Sequence, residues 1–134
     1  METAEAVLAG LELLQQLIRI ETLPGSGRAA EAARLLLVYA QRHGLEAQVV
    51  EPCPGYGSFL ACIPGQEPAN LLLLSHLDVA PSGDGGAWSR PPFSGTLADG
   101  EVWGRGAVDC KGLAAAWFAV LLMLQGRPLR RGVV

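Results

Sequence analysis

Four consecutive leucines, Leu71 to Leu74, limit the architecture of this chain more than any other feature. The run has no polar alternation, so a strand built from it is apolar on both faces. Such strands belong in the middle of a sheet covered by helices on both sides. The flanking patterns fit that three-layer α/β reading. Residues 4–20 place Val7, Leu11, Leu14 and Ile18 at helical spacing, with Thr3 as the cap. A second helix carries Ala29, Ala33, Leu36, Leu37 and Ala40 inward and stops near His43-Gly44. Short strands are expected at 45–51 and 57–63, on either side of Pro52-Cys53-Pro54-Gly55. An almost wholly apolar helix over 110–125, closed by Gly126 and Pro128, must be buried. Gly132-Val133-Val134 reads as the opening of a further strand.

Between these elements lie three connections. Glu21 to Gly27 is a turn-rich break, and Thr96 to Trp103 is a hairpin turning at Asp99-Gly100. Pro81 to Gly95, with its glycines and prolines, is a long loop that Trp88 and Phe93 keep ordered.

At 134 residues the chain is one compact domain or part of a larger one. Half of it is hydrophobic and 17% is charged, a balance that favours packing against further sequence. The net charge of −3 argues against a nucleic-acid or anionic-membrane surface, and Arg127, Arg130 and Arg131 are too few to reverse that. No apolar run reaches the roughly 18–20 residues that span a bilayer. Glu2 and Glu5 stand where a signal peptide carries positive charge. Cys53, Cys62 and Cys110 form no CxxC pair and are odd in number, which speaks against a disulfide framework and for a cytoplasmic location.

The leucine run leads into Ser75-His76-Leu77-Asp78-Val79-Ala80-Pro81. Residues i and i+2 of an extended chain point to the same side, about 6.5–7 Å apart. The Asp78 carboxylate can therefore reach one imidazole nitrogen of His76 while the other faces a metal, the usual support for a metal-bound histidine. A strand-end histidine with ordinary hydrogen bonds is the alternative. Asp109, before the apolar helix, is either an N-cap or a metal ligand, because both uses compete for the same two oxygens.

Taken with Gly104-Arg105-Gly106-Ala107-Val108-Asp109-Cys110-Lys111-Gly112, with Trp88 to Gly95 and with Asp99-Gly100, this segment closely resembles the M20 family of metallopeptidases and deacylases. That family contains glutamate carboxypeptidase, acetylornithine deacetylase, succinyl-diaminopimelate desuccinylase and aminoacylase types. The resemblance runs along the whole chain and implies the N-terminal portion (1–134) of a zinc-exopeptidase-like catalytic domain, with a mixed sheet between helices. By position, it implies that His76 is a zinc ligand, that Asp78 is the catalytic carboxylate orienting it, and that Asp109 is the ligand bridging two zinc ions. Cobalt or manganese are alternative metals. Cys110 departs from the Met common at that position. Arg105, Lys111, Trp88 and Phe93 fall on structural or pocket-lining positions.

The implied substrate is a short peptide or N-acyl amino acid. Many members dimerise through an inserted domain that these residues do not contain. The family's Glu-Glu pair, general base and further ligand, follows the next strand, whereas residues 110–134 contain no Asp, Glu or His. The chain alone is therefore expected to be an inactive piece of a longer enzyme. A non-catalytic binding or regulatory module and a mononuclear hydrolase of another family are the competing readings.

Overall fold

The computed structural model describes every residue from Met1 to Val134. In chain order the elements are α1 (Thr3–Arg19), α2 (Ala29–Arg42), β1 (Ala47–Cys53), β2 (Tyr56–Ala61), β3 (Glu67–Leu71), β4 (Thr96–Ala98), β5 (Glu101–Trp103), α3 (Lys111–Leu124) and β6 (Arg131–Val133). None of the helices is long and apolar enough to cross a membrane.

Two apolar stripes compete on α1, and the one that wins is a neighbour of the expected stripe. Ala6, Gly10, Leu13, Leu17 and Ile18 are buried, whereas Val7 is 53% exposed and Leu11 and Leu14 are half-buried. Gly10 decides the matter. A Cβ there would lie 3.0 Å from the Ala115 carbonyl oxygen and 3.2 Å from the Ala119 Cβ, so its missing side chain lets α3 approach closely. Thr3 is the first helical residue and not the cap, a position held by Glu2 without a side-chain bond. On α2 the buried residues are Ala30, Ala32, Ala33, Leu36, Tyr39 and Ala40, and this face lies over β2. Ala29 and Leu37 are half-buried at its margin.

β1 and β2 pair antiparallel from Ala47↔Ala61 to Cys53↔Tyr56, and β3 pairs parallel with β6. An antiparallel bridge between Ile63 and Val133 joins the two ladders, giving the mixed order β1-β2-β6-β3. Ala61, Ile63 and Val133 form one core with Leu13 and Leu17 of α1, Leu36 and Tyr39 of α2, and Phe118 and Leu122 of α3. β4 and β5 form a separate hairpin, whose turn residues Asp99 and Gly100 take φ of 56° and 80°.

The leucine run behaves differently from the double-sided burial expected of it. β3 ends at Leu71, and through Asp78 the chain keeps the alternating burial of an extended segment without being part of a strand. Leu73 and Leu77 pack against the core, while Leu72 and Leu74 are 63% and 74% exposed. Alternate side chains of an extended segment point to opposite faces, and all three helices contribute to the core on one of them. The α/β class holds. The helical layer expected over the other face is not contributed by residues 1–134.

Candidate metal centre

The extended segment delivers His76 to the end of the sheet. Thr22, just beyond α1, holds it there: its backbone carbonyl accepts from Val79 N–H at 3.0 Å and its hydroxyl donates to the Leu77 carbonyl at 2.5 Å. His76 Nδ1 lies 3.0 Å from the Asp78 backbone carbonyl and 3.4 Å from its carboxylate. A carbonyl can only accept, so Nδ1 carries a proton. The expected support by Asp78 is thus made mainly through its main chain, with the carboxylate as a flanking charge.

The other ring nitrogen, Nε2, lies 2.9 Å from Asp109 Oδ1, across 33 residues of sequence. In a neutral ring with Nδ1 protonated, both of these atoms are acceptors. Something positive must sit between them. A proton on Nε2 fills that role by donating to the carboxylate. Burial pushes the His76 pKa down, but the hydrogen bonds to the Asp78 carbonyl and the Asp109 carboxylate, with both negative charges, outweigh it and hold the imidazole above its ordinary value. A divalent cation can replace that proton.

Asp109 does not cap α3. The N-cap residue is Cys110, and no side chain caps the helix. The Lys111 N–H is instead satisfied by the Gly106 carbonyl at 3.0 Å, which leaves both Asp109 oxygens to other partners. One meets His76, and the side chain as a whole is 85% exposed. Gly106 takes φ of +87° and lies against Val79 and the Lys111 stem, where a Cβ would be 2.6 Å from Val79 Cγ1. The His76 and Asp109 loops therefore touch directly.

Lys111 anchors the second loop. Its side chain is wholly buried, and Nζ donates to the Leu17 and Ile20 carbonyls at 2.9 and 2.7 Å. Thr22 and Lys111 are the two polar side chains that the fold buries. Each ties the end of α1 to one of these two loops. Lys111 falls on a position read as structural, but neither its partners nor those of Thr22 could be read from the sequence, because the partners are backbone carbonyls.

The 81–95 loop forms an ordered rim. The Arg105 guanidinium lies 5.1 Å from the Trp88 ring and bonds the Pro81 carbonyl, while Arg90 lies 5.1 Å from the Trp103 ring. Gln15 and Arg19 of α1 donate to the Gly95 and Ser94 carbonyls. His43 stands apart at the end of α2, edge-on to Phe118. Cys53, Cys62 and Cys110 are free thiols. Cys110 joins His76 and Asp109 in a group with one potential ligand atom from each inside 4.8 Å of the others. Nitrogen, oxygen and sulfur donors at that spacing suit a divalent transition metal.

Residues 72–134 match the sequence profile of peptidase family M20/M25/M40. A succinyl-diaminopimelate desuccinylase of Xanthobacter autotrophicus is 48% identical over 66 residues, covering 49% of this chain and 17% of that protein. One from Rhodopseudomonas palustris is 49% identical over 61 residues, or 45% of this chain and 16% of the relative. Among solved structures, the M20 family metallo-carboxypeptidase Sso-CP2 of Sulfolobus solfataricus superposes with a TM-score of 0.79 at 27% identity, over 92% of this chain and 29% of that one. Human carnosine dipeptidase 1 superposes with a TM-score of 0.66, also at 27% identity, over 98% and 32%. The chain thus spans under a fifth of the desuccinylases and about a third of the solved structures. The half that carries His76 and Asp109 matches M20 peptidases in sequence, and nearly the whole chain matches M20 structures in fold, so this chain is similar to M20 peptidases in both.

Proposed function

We propose that residues 1–134 serve as the N-terminal portion of one metallohydrolase catalytic domain, in an enzyme that cleaves amide bonds of short peptides or N-acyl amino acids with two zinc ions. Cobalt or manganese would substitute for zinc, and the three free thiols favour the reducing cytoplasm. The observation that carries the reading is the 2.9 Å approach of His76 Nε2 to Asp109 Oδ1, with Nδ1 already committed to the Asp78 carbonyl. The desuccinylases and the dipeptidase it resembles support small amide substrates.

A divalent ion bound there supplies Lewis acidity, which polarises a scissile carbonyl and acidifies water. His76 offers the Nε2 lone pair, and Asp78 fixes the ring and its tautomer. Asp109 offers one oxygen beside His76 and a second, outward one that can serve another ion. The chain holds no further acid or histidine after Asp109, so the general base and the further acidic and histidine ligands must come from elsewhere in the enzyme. The 134 residues by themselves are then inactive.

Isothermal titration with zinc tests the ligand assignment, and a panel of dipeptides and N-succinyl amino acids tests the inactivity. Zinc should bind the chain and be lost from His76→Ala and from Asp109→Asn, with no hydrolysis above buffer. Undiminished zinc binding by both variants would refute the assignment. Turnover by the chain itself would refute the need for further carboxylates.

A further inference from the structure

We propose that Cys110 is a metal ligand in this protein, completing with His76 and Asp109 a three-donor site for a thiophilic divalent cation. The proposal rests on the reading of His76 and Asp109 as ligands and adds the sulfur to it. Two protein donors hold zinc poorly, since catalytic zinc sites take three protein ligands and leave one position open. His76, Asp109 and Cys110 supply that number within the chain, with one potential ligand atom from each inside 4.8 Å of the others.

Cys110 is free for the task. It occupies the N-cap position of α3 without bonding the helix N–H groups, it is unpaired, and it is half-buried beside the exposed Asp109. On binding, the thiol proton passes to solvent and the sulfur enters as thiolate. One thiolate, one carboxylate and a neutral imidazole then balance a divalent ion. A sulfur donor also sets a preference: zinc, cadmium and cobalt(II) should bind ahead of manganese and magnesium, which favour oxygen.

Cobalt(II) titration followed by absorption spectroscopy tests this, because a thiolate bound to cobalt produces a sulfur-to-metal charge-transfer band in the near ultraviolet. The full 134-residue chain is used with Cys53→Ser and Cys62→Ser, which removes the two exposed thiols. The band should appear with one cobalt per chain. It should vanish in Cys110→Ser and Cys110→Met, with affinity weakened at least about tenfold, the lower end of what even an outer-shell partner is worth. Circular dichroism verifies that each variant folds, and the two replacements guard against a fault peculiar to either. Cobalt bound through His76 and Asp109, with no band and with equal affinity in both Cys110 variants, would overturn the thiolate ligand and leave the two-ligand reading standing. A band that persists in His76→Ala and Asp109→Asn would overturn the shared site. No cobalt binding by the unsubstituted chain would overturn both.

Discussion

Lys111→Met probes how the Asp109 loop is held, because it removes a buried ammonium and keeps most of its volume. Burial, and secondarily the like charge of Arg28, push the Lys111 pKa down from 10.5 to about 8. That drop corresponds to about 3 kcal/mol against the charged form. The folded chain gives up this proton before the unfolded chain does. Between pH 8 and 10.5 the unfolded state therefore binds more protons, and stability rises with pH. From pH 7 to pH 10 the gain is about 2–3 kcal/mol. With Met at 111, the Leu17 carbonyl still accepts from Ile20 N–H at 3.2 Å, but the Ile20 carbonyl loses its side-chain partner. One buried orphan acceptor costs about 1–3 kcal/mol. At pH 7 the relieved ammonium offsets that cost, so the two proteins should agree within about 2 kcal/mol. Urea unfolding at pH 7 and pH 10, followed by tryptophan fluorescence, measures the effect. Taking the difference between the proteins removes every other titrating group. The wild type should gain about 2–3 kcal/mol over Lys111→Met between the two pH values. A flat difference, or one that moves the other way, would refute the account of Lys111 as a buried charge held against its desolvation.

Gly106→Ala should cost about 2–5 kcal/mol, because it combines a left-handed backbone at φ +87° with a Cβ 2.6 Å from Val79 Cγ1; a loss below about 0.5 kcal/mol in urea unfolding contradicts that contact. Thr22→Val keeps the shape but removes the donor to the Leu77 carbonyl. It should lose about 1–3 kcal/mol in the same assay while Thr22→Ser stays close to wild type, and equal losses in both would mean that the methyl group, not the hydroxyl, matters.

How much of this was legible in the sequence follows from what each feature depends on. His76 and Asp109 come together because a strand end and a helix start, both marked by short motifs, meet at one end of the fold. The inward stripe of α1 was not legible. Leucine is so common there that two stripes one residue apart are equally apolar, and the choice falls to Gly10 facing Ala115 and Ala119, residues 105 or more positions away. The leucine run was misleading for a related reason: its composition describes what it could pack against, while its exposure depends on what does pack against it. Capping or metal binding by Asp109 could not be decided from sequence either, since an aspartate before an apolar helix suits both. The structure removes the capping role through the backbone. With the Gly106 carbonyl accepting from Lys111 N–H, and with Lys111 drawn to the carbonyls at the end of α1, the helix start is fixed without the Asp109 carboxylate. A side chain in the usual capping place that caps nothing is free to hold a cation, and His76 is where that cation would be shared.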